Sequence, residues 1–272
     1  MSFTKESPLV LVGAGKMGGA LLAGWIANGV HPDAVVVVDP GPSSEMLAFL
    51  DEKGIRWEAT TQGVPVAQAL IVAVKPQLME KVLPAIVTLV AQSTVVLSMA
   101  AGTSVETFHR HLGQETVVVR CMPNTPAQVG RGITGGYASG AISQKQQDMV
   151  NELLQAVGEF VWVDSEEQID FVTAVSGSGP AYLFHMTECL AEAGKALGLS
   201  AEVAEKLARH TVSGAGELLH QSPESASRLR ENVTSPGGTT AAALHVLMDE
   251  KRLQTLMEQA VAAAAQRAKE LA

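Results

Sequence analysis

An aliphatic run, Leu9-Val10-Leu11-Val12, leads directly into Gly13-Ala14-Gly15-Lys16-Met17-Gly18, and nothing else in the chain restricts its folding as strongly. A continuous apolar run of that length reads as a strand covered on both faces. Each glycine behind it has a separate task. The first permits a tight turn, the second lets backbone amides approach a pyrophosphate, and the third lets the following helix pack closely. Free amides at that helix's start carry partial positive charge, which suits an anion. The competing reading is a glycine-rich turn without a ligand. Context argues against it: Val35-Val36-Val37-Val38 ends in Asp39, roughly twenty residues beyond Gly18, where an acid that accepts from ribose hydroxyls belongs.

The same alternation continues. Leu70 to Val74, Val95-Val96-Leu97 and Val117-Val118-Val119 are further apolar runs separated by helical patterns, which implies a parallel, helix-covered sheet. Thr103-Ser104-Val105-Glu106 reads as a helix start capped by the threonine, and Ser143-Gln144-Lys145-Gln146 as a capping box. Ile133 to Tyr137 and Phe160 to Val163 flank the second of these helices. Around Asp164 the character changes: Ser165-Glu166-Glu167-Gln168 opens a helix, and no strand pattern follows. Leu183, Met186, Leu190, Ala193 and Leu197 then recur at helical spacing, Ser200 caps a second helix, and Ala262 to Ala265 form an alanine-rich tail. The expected division is an α/β dinucleotide-binding domain over 1–164 and an all-helical domain over 165–272.

Composition excludes several classes. A formal charge of −9 without a basic cluster argues against a nucleic-acid partner. Cys121 and Cys189 are too few for a disulfide framework and are not spaced like metal ligands, so a reducing cytoplasm is expected, with both thiols acting as buried small hydrophobes. Met1 to Pro8 shows no leader pattern, and no apolar run approaches membrane-spanning length. No His-Glu-x-x-His, Cys-x-x-Cys or glycine-flanked serine elbow is present, so no metal site is expected. Aromatic residues make up only 4% of a chain that is 47% hydrophobic, so its close packing must rest on small and aliphatic side chains.

Ala73-Val74-Lys75-Pro76 and Ser98-Met99-Ala100-Ala101-Gly102 close two of the strands, at the carboxyl edge where open α/β sheets bind ligands. Ala73, Val74, Pro76, Ala100 and Ala101 leave room for a flat cofactor. Lys75 is a candidate to touch the dinucleotide or to act as an acid, against the alternative of a solvated loop lysine. Arg120-Cys121-Met122-Pro123-Asn124-Thr125-Pro126 is too proline-rich for a helix and reads as a wall of the same crevice, through Asn124. Asp39 repels a 2′-phosphate, and Pro40 to Ser44 holds no Arg or Lys; Ser43 and Ser44 can bond a phosphate or simply cap a helix, so NADH and NADPH both stand. In the helical half, Val175 to Tyr182, with Ser178, and Thr234 to Thr240 place glycines before helices. Each offers free amides suited to a small carboxylate, the second more so.

Together, Gly13 to Gly18, Ala73 to Pro76, Met99 to Gly102, Arg120 to Ala127, Ser176 to Tyr182 and Ser235-Pro236-Gly237-Gly238-Thr239-Thr240 resemble the pyrroline-5-carboxylate reductase family, in order along nearly the whole chain. The resemblance implies an α/β Rossmann-type N-terminal domain with an all-α C-terminal dimerisation domain. It implies reduction by NADPH or NADH of the C=N bond of 1-pyrroline-5-carboxylate, the last step of proline biosynthesis. It further implies that Gly238, Thr239 and Thr240 hold the substrate carboxylate, with Ser178 also on the substrate side and the Thr240 hydroxyl near the imine nitrogen. Asn232 matches a position beside the cofactor, and Glu224 an acidic substrate-side residue, although Ser222-Pro223-Glu224-Ser225 aligns only with a shift. Family members build the site between subunits, so a homodimer or an oligomer of dimers is expected, with the alanine-rich helices buried between copies. Two other readings remain at this point. One is a related two-domain reductase using Lys195, the other a nucleotide sensor without turnover.

Overall fold

The computed structural model describes residues 3–271, so the outermost residues of both expected domains and the start of the stretch read for a leader lie outside the described residues. Two compact units emerge, and their boundary differs from the expected one. The first runs to Gly177 and also takes the chain from Ala264; the second is Ser178–Ala263.

The first unit alternates strand and helix: β1 Leu9–Val12, α1 Lys16–Ala27, β2 Val35–Val38, α2 Ser44–Lys53, β3 Arg56–Glu58, β4 Ala69–Val72, α3 Met79–Ile86, β5 Val95–Ser98, α4 Val105–Leu112, β6 Val117–Met122, β7 Gly132–Ala138, α5 Gln144–Gln155, β8 Gly158–Trp162 and α6 Gln168–Val172. The strands form one sheet in the order β3-β2-β1-β4-β5-β6-β7-β8. Alternate residues of each central strand point to opposite cores. Leu9, Leu11, Val35, Val37, Ile71 and Leu97 pack with Leu21, Leu22, Trp25 and Leu153, while Val10, Val36, Leu70 and Val96 pack with Leu83, Ile86 and Phe108. Both faces being covered explains why those runs are apolar without alternation.

Three features depart from the expected sheet. β7 lies antiparallel to β6, although β8 is parallel to β7. The link from Met122 to Gly132 is shorter than the dozen or so residues a parallel crossover requires, and it is filled by a 3-10 turn, Thr125–Val129. β3 has only three residues, two of them exposed, so it carries no periodic signal. Ser104, not Thr103, caps α4, its hydroxyl accepting the Thr107 amide at 3.3 Å.

The boundary shift has an electrostatic cause. Arg120 on β6 is 4% exposed and donates to Glu166 Oε1 (3.2 Å) and Asp170 Oδ1 (3.0 Å). The same Glu166 oxygen accepts the first amide of α4, from Val105, at 2.8 Å. These bonds tie the segment beyond Asp164 to the sheet, so α6 and the π-helical turn Thr173–Gly177 belong to the first unit. The chain end returns to it as well. Lys269 Nζ lies 2.6 Å from Glu167 Oε1 and 5.5 Å from the Phe171 ring centre, and a side chain added at Gly102, where φ is +69°, would meet the Leu271 carbonyl oxygen at 2.6 Å.

The second unit comprises α7 Gly179–Ala196, α8 Ala201–Gln221, α9 Ala226–Asn232, α10 Thr239–Met248 and the first part of α11 Arg252–Leu271. α7 and α8 meet through small residues: Ala191, Ala204 and Ala208 are buried, and a Cβ on Gly194 would lie 3.3 Å from that of Ala204. Large apolar side chains stay uncovered in the single chain, Phe184 at 65% and Leu218 at 54% exposure. The two thiols separate. Cys121 is buried, which pushes its pKa far up, while Cys189, expected to be buried, is exposed on α7. Among the described residues no helix is long and apolar enough to cross a membrane, and no group of three His, Cys, Asp or Glu side chains is placed to hold a metal.

Candidate active site

Strand order reverses between β1 and β4, and the crevice at such a reversal is where open α/β sheets bind ligands. The glycine turn leaves β1 at this point. The Gly13 amide donates to Val38 O at 2.9 Å, and Ala73 N donates to Val12 O at 2.8 Å. The three glycines differ in what a methyl group would meet. On Gly13, with φ +90°, it would lie 2.8 Å from Val74 Cγ1 and 2.9 Å from Ala73 O; on Gly18 it would lie 2.1 Å from Gly13 O. On Gly15 it would meet nothing within 4 Å. Packing thus requires the outer two, while the middle glycine leaves space the protein itself does not use.

Helix caps sharpen this contrast. Among the described residues, α2, α4, α5, α8 and α9 each start from an extended residue, Ser43, Ser104, Ser143, Ser200 or Ser225, whose hydroxyl accepts an amide of the first turn. At Ser143 the full capping box is formed with Gln146. Among the described residues only α1 and α10 start from an extended glycine, Gly15 and Gly238, with no side-chain cap. Their first-turn amides keep their donor capacity for an anion. At α10 the turn before the cap is tight: Gly237 has φ +69°, the Gly238 amide donates to Ser235 O at 3.1 Å, and a Cβ at 238 would lie 2.5 Å from Ser235 Oγ. Thr239 and Thr240 open the helix, the first exposed and the second half-buried. The stretch around Ser178 behaves differently. Ser178 has right-handed helical backbone between the π turn and α7 and makes no side-chain cap, so the free helix end expected there is not formed.

In the first unit, the remaining expected residues lie in the turn or follow the carboxyl ends of the strands. Lys16 and Met17 begin α1, and the Ala14 amide donates to Asp39 Oδ2 at 2.8 Å. Val74 is half-buried, Lys75 and Pro76 are exposed beyond β4, Ala100 is buried and Ala101 exposed beyond β5. Asn124 is 9% exposed; its Oδ1 accepts the Ile133 amide at 2.9 Å and its Nδ2 donates to Ser176 O at 3.2 Å. That side chain braces the link after β6 and the π turn. In the second unit, Asn232 Nδ2 donates to Glu224 Oε2 at 2.8 Å, joining two residues assigned to different ligands. Lys195 forms an ion pair with Glu192 at 2.5 Å, and this hydrogen bond raises its pKa. The Arg120-Glu166-Asp170 cluster was not foreseen. Its signal was present, since an arginine between Val119 and Cys121 in a buried strand requires carboxylate partners.

Comparison with known proteins agrees with this geometry. Residues 166–271 match the family described as pyrroline-5-carboxylate reductase dimerisation, and residues 8–102 match NADP oxidoreductase coenzyme F420-dependent. The pyrroline-5-carboxylate reductase of Pseudomonas aeruginosa is 40% identical over 97% of this chain and 96% of its own, and that of Haemophilus influenzae 36% identical over 97% of each. The solved pyrroline-5-carboxylate reductase of Coxiella burnetii superposes with a TM-score of 0.91 at 35% identity, covering 98% of this chain and 99% of its own. That of Plasmodium falciparum, solved with NADP bound, gives 0.79 at 27%, covering 98% and 99%. A turn built for a dinucleotide, a second glycine-capped helix and similarity along both chains converge on one conclusion: this chain belongs to the pyrroline-5-carboxylate reductase family.

Proposed function

We infer that this chain reduces the C=N bond of 1-pyrroline-5-carboxylate to proline with NADPH or NADH. The observation that carries the reading is the pair of glycine-capped helices, α1 for a pyrophosphate and α10 for a carboxylate. The reduced nicotinamide supplies the hydride; the chain's own residues bind, orient and manage the proton. Gly13 to Gly18 hold the dinucleotide phosphates, with Asp39, Ala73 to Pro76, Ala100, Ala101 and Asn124 around them and Asn232 as a further cofactor contact. Lys75 touches the dinucleotide from its exposed position. Gly238, Thr239 and Thr240 bind the substrate carboxylate, and Ser178 and Glu224 complete its surroundings. The enzyme acts as a homodimer or an oligomer of dimers, in which a second copy covers the apolar helix faces of the second unit; its functional halves, 1–164 for the dinucleotide and 165–272 for substrate and dimer, do not coincide with the compact units, which divide after Gly177 and at Ala264.

Oxidation of NADH and NADPH is followed with 1-pyrroline-5-carboxylate and then with pyrroline lacking the carboxylate. Charge-assisted hydrogen bonds contribute about 1.5–3 kcal/mol each, so losing the carboxylate should lower kcat/KM roughly 100-fold. Equal rates on both would remove α10 from the site. Thr240→Ala tests the proton's route. The hydroxyl orients the imine nitrogen or passes it a proton, so kcat should fall about 100-fold or more while the dinucleotide Kd stays unchanged. Full turnover in that variant would exclude the role.

A further inference from the structure

The carboxyl end of β2 carries more than a ribose acceptor. Asp39 is anchored through both its side chain and its main chain. Its Oδ2 accepts the Ala14 amide inside the phosphate turn at 2.8 Å, and its Oδ1 accepts the Gly41 amide at 2.9 Å. Its main chain is also tied to β3, the amide donating to Glu58 O at 3.1 Å and the carbonyl accepting from Trp57 Nε1 at 2.9 Å. A carboxylate offers about four lone-pair positions, so this half-buried group keeps acceptor capacity beyond its two amide bonds.

The loop that follows it supplies no positive charge; Lys16, exposed at the start of α1 and two residues past Ala14, is the nearest cation along the turn. Pro40 to Ser44 contains neither Arg nor Lys. The cations of α2 and β3 are committed elsewhere. Arg56 donates to Glu58 Oε1 at 2.9 and 3.0 Å and to Gly63 O at 2.9 Å, and Lys53 pairs with Glu52 at 2.8 Å. The Ser43 hydroxyl accepts the Met46 amide as the cap of α2. An anchored acceptor suits a ribose 2′-hydroxyl, which can donate to it. A 2′-phosphate is also acceptor-rich and negative, and would stand against the same carboxylate.

We propose that Asp39 is the specificity-determining residue of the dinucleotide site and makes this reductase select NADH over NADPH. The proposal rests on the dinucleotide reading of the glycine turn and not on the identity of the imine. Because Asp39 also latches the turn through Ala14, replacing it weakens both dinucleotides somewhat. The ratio of their affinities isolates the charge effect.

The test is direct binding to the full-length protein, without imine substrate, reading Kd for NADH and NADPH from nicotinamide and tryptophan fluorescence. The wild type should bind NADH at least about tenfold more tightly, a difference of 1.4 kcal/mol. Asp39→Asn should reduce that ratio about tenfold or more. Gly41→Arg is the second variant. Its added side chain starts in open space, with nothing within 4 Å of the Cβ, and its charge should tighten NADPH binding about fivefold or more with Asp39 intact. Equal or tighter NADPH binding by the wild type would overturn the proposal. So would an NADH preference that both variants leave unchanged. Binding of neither dinucleotide would overturn the reading of the turn itself, a result that catalysis with a different imine could not produce.

Discussion

Replacing Gly18 by alanine should cost roughly 10²- to 10⁴-fold in dinucleotide affinity. The added methyl would lie 2.1 Å from the Gly13 carbonyl oxygen, which is backbone and cannot rotate away. The turn or the first residues of α1 must move by about an ångström. Displacement of that size takes the first-turn amides off the pyrophosphate, and two such charge-assisted bonds are worth about 3–6 kcal/mol. Crowding in a packed region adds a stability loss of about 1–3 kcal/mol. Gly15→Ala is the control. Its backbone, at φ −70° and ψ −164°, accepts any residue, and the new methyl enters open space. It should leave the melting temperature unchanged or slightly raised while still weakening the dinucleotide, because the methyl occupies ligand space. Titration of both variants with NADH, beside thermal melts, separates the two glycines. Equal loss of stability in both would refute the distinction.

Arg120→Ala should have the largest effect on folding. It removes the shared partner of Glu166 and Asp170, and Asp170 is only 7% exposed. Breaking a buried ion pair from one side costs about 3–5 kcal/mol, because the remaining charge is left uncompensated. A unit of this size loses about 2–4 °C per kcal/mol, so the melting temperature should fall by about 10 °C. The triple variant Arg120→Met, Glu166→Gln, Asp170→Asn leaves no orphan charge and should recover part of the loss, the remainder being the cost of the unpartnered amide buried at position 170. Arg120 Nε has no hydrogen-bond partner, so even the intact cluster is incompletely satisfied. A melt of Arg120→Ala within 2 °C of the wild type would show that the cluster contributes little.

Much of this was legible in the residues. Runs such as Val35 to Val38 announce strands covered on both faces, and the glycines after Val12 announce the turn, because both signals are local. What escaped was non-local or too short to have a period. The reversal of β7 depends on the length of the link after Met122, and β3 shows only as Arg56-Trp57-Glu58 against Val36 to Val38. The division at Asp164 followed a real change in pattern, yet Glu166 and Asp170 answer to Arg120, far back in the chain. Asp39 was legible as an acid in the right place; that its oxygens latch Ala14 and Gly41 was not. At Ser178 the composition matched that of the α10 cap, but a helical approach leaves no free end, whereas Gly237 with φ +69° creates one at Gly238.

The chain leaves the first unit after Gly177 and rejoins it at Ala264, where Lys269 meets Glu167 and Leu271 crosses Gly102. The helical unit is therefore an insertion anchored at both ends, not a terminal cassette. A fragment that stops before Ala264 loses part of the unit it appears to preserve, and after one nick beyond Gly177 only non-covalent contacts of the closing segment, such as Lys269 with Glu167, still hold the two pieces together. Exchange of this unit between relatives must respect two junctions at once, so a chimera joined only near Asp164 carries a foreign closing segment against its own Gly102 turn.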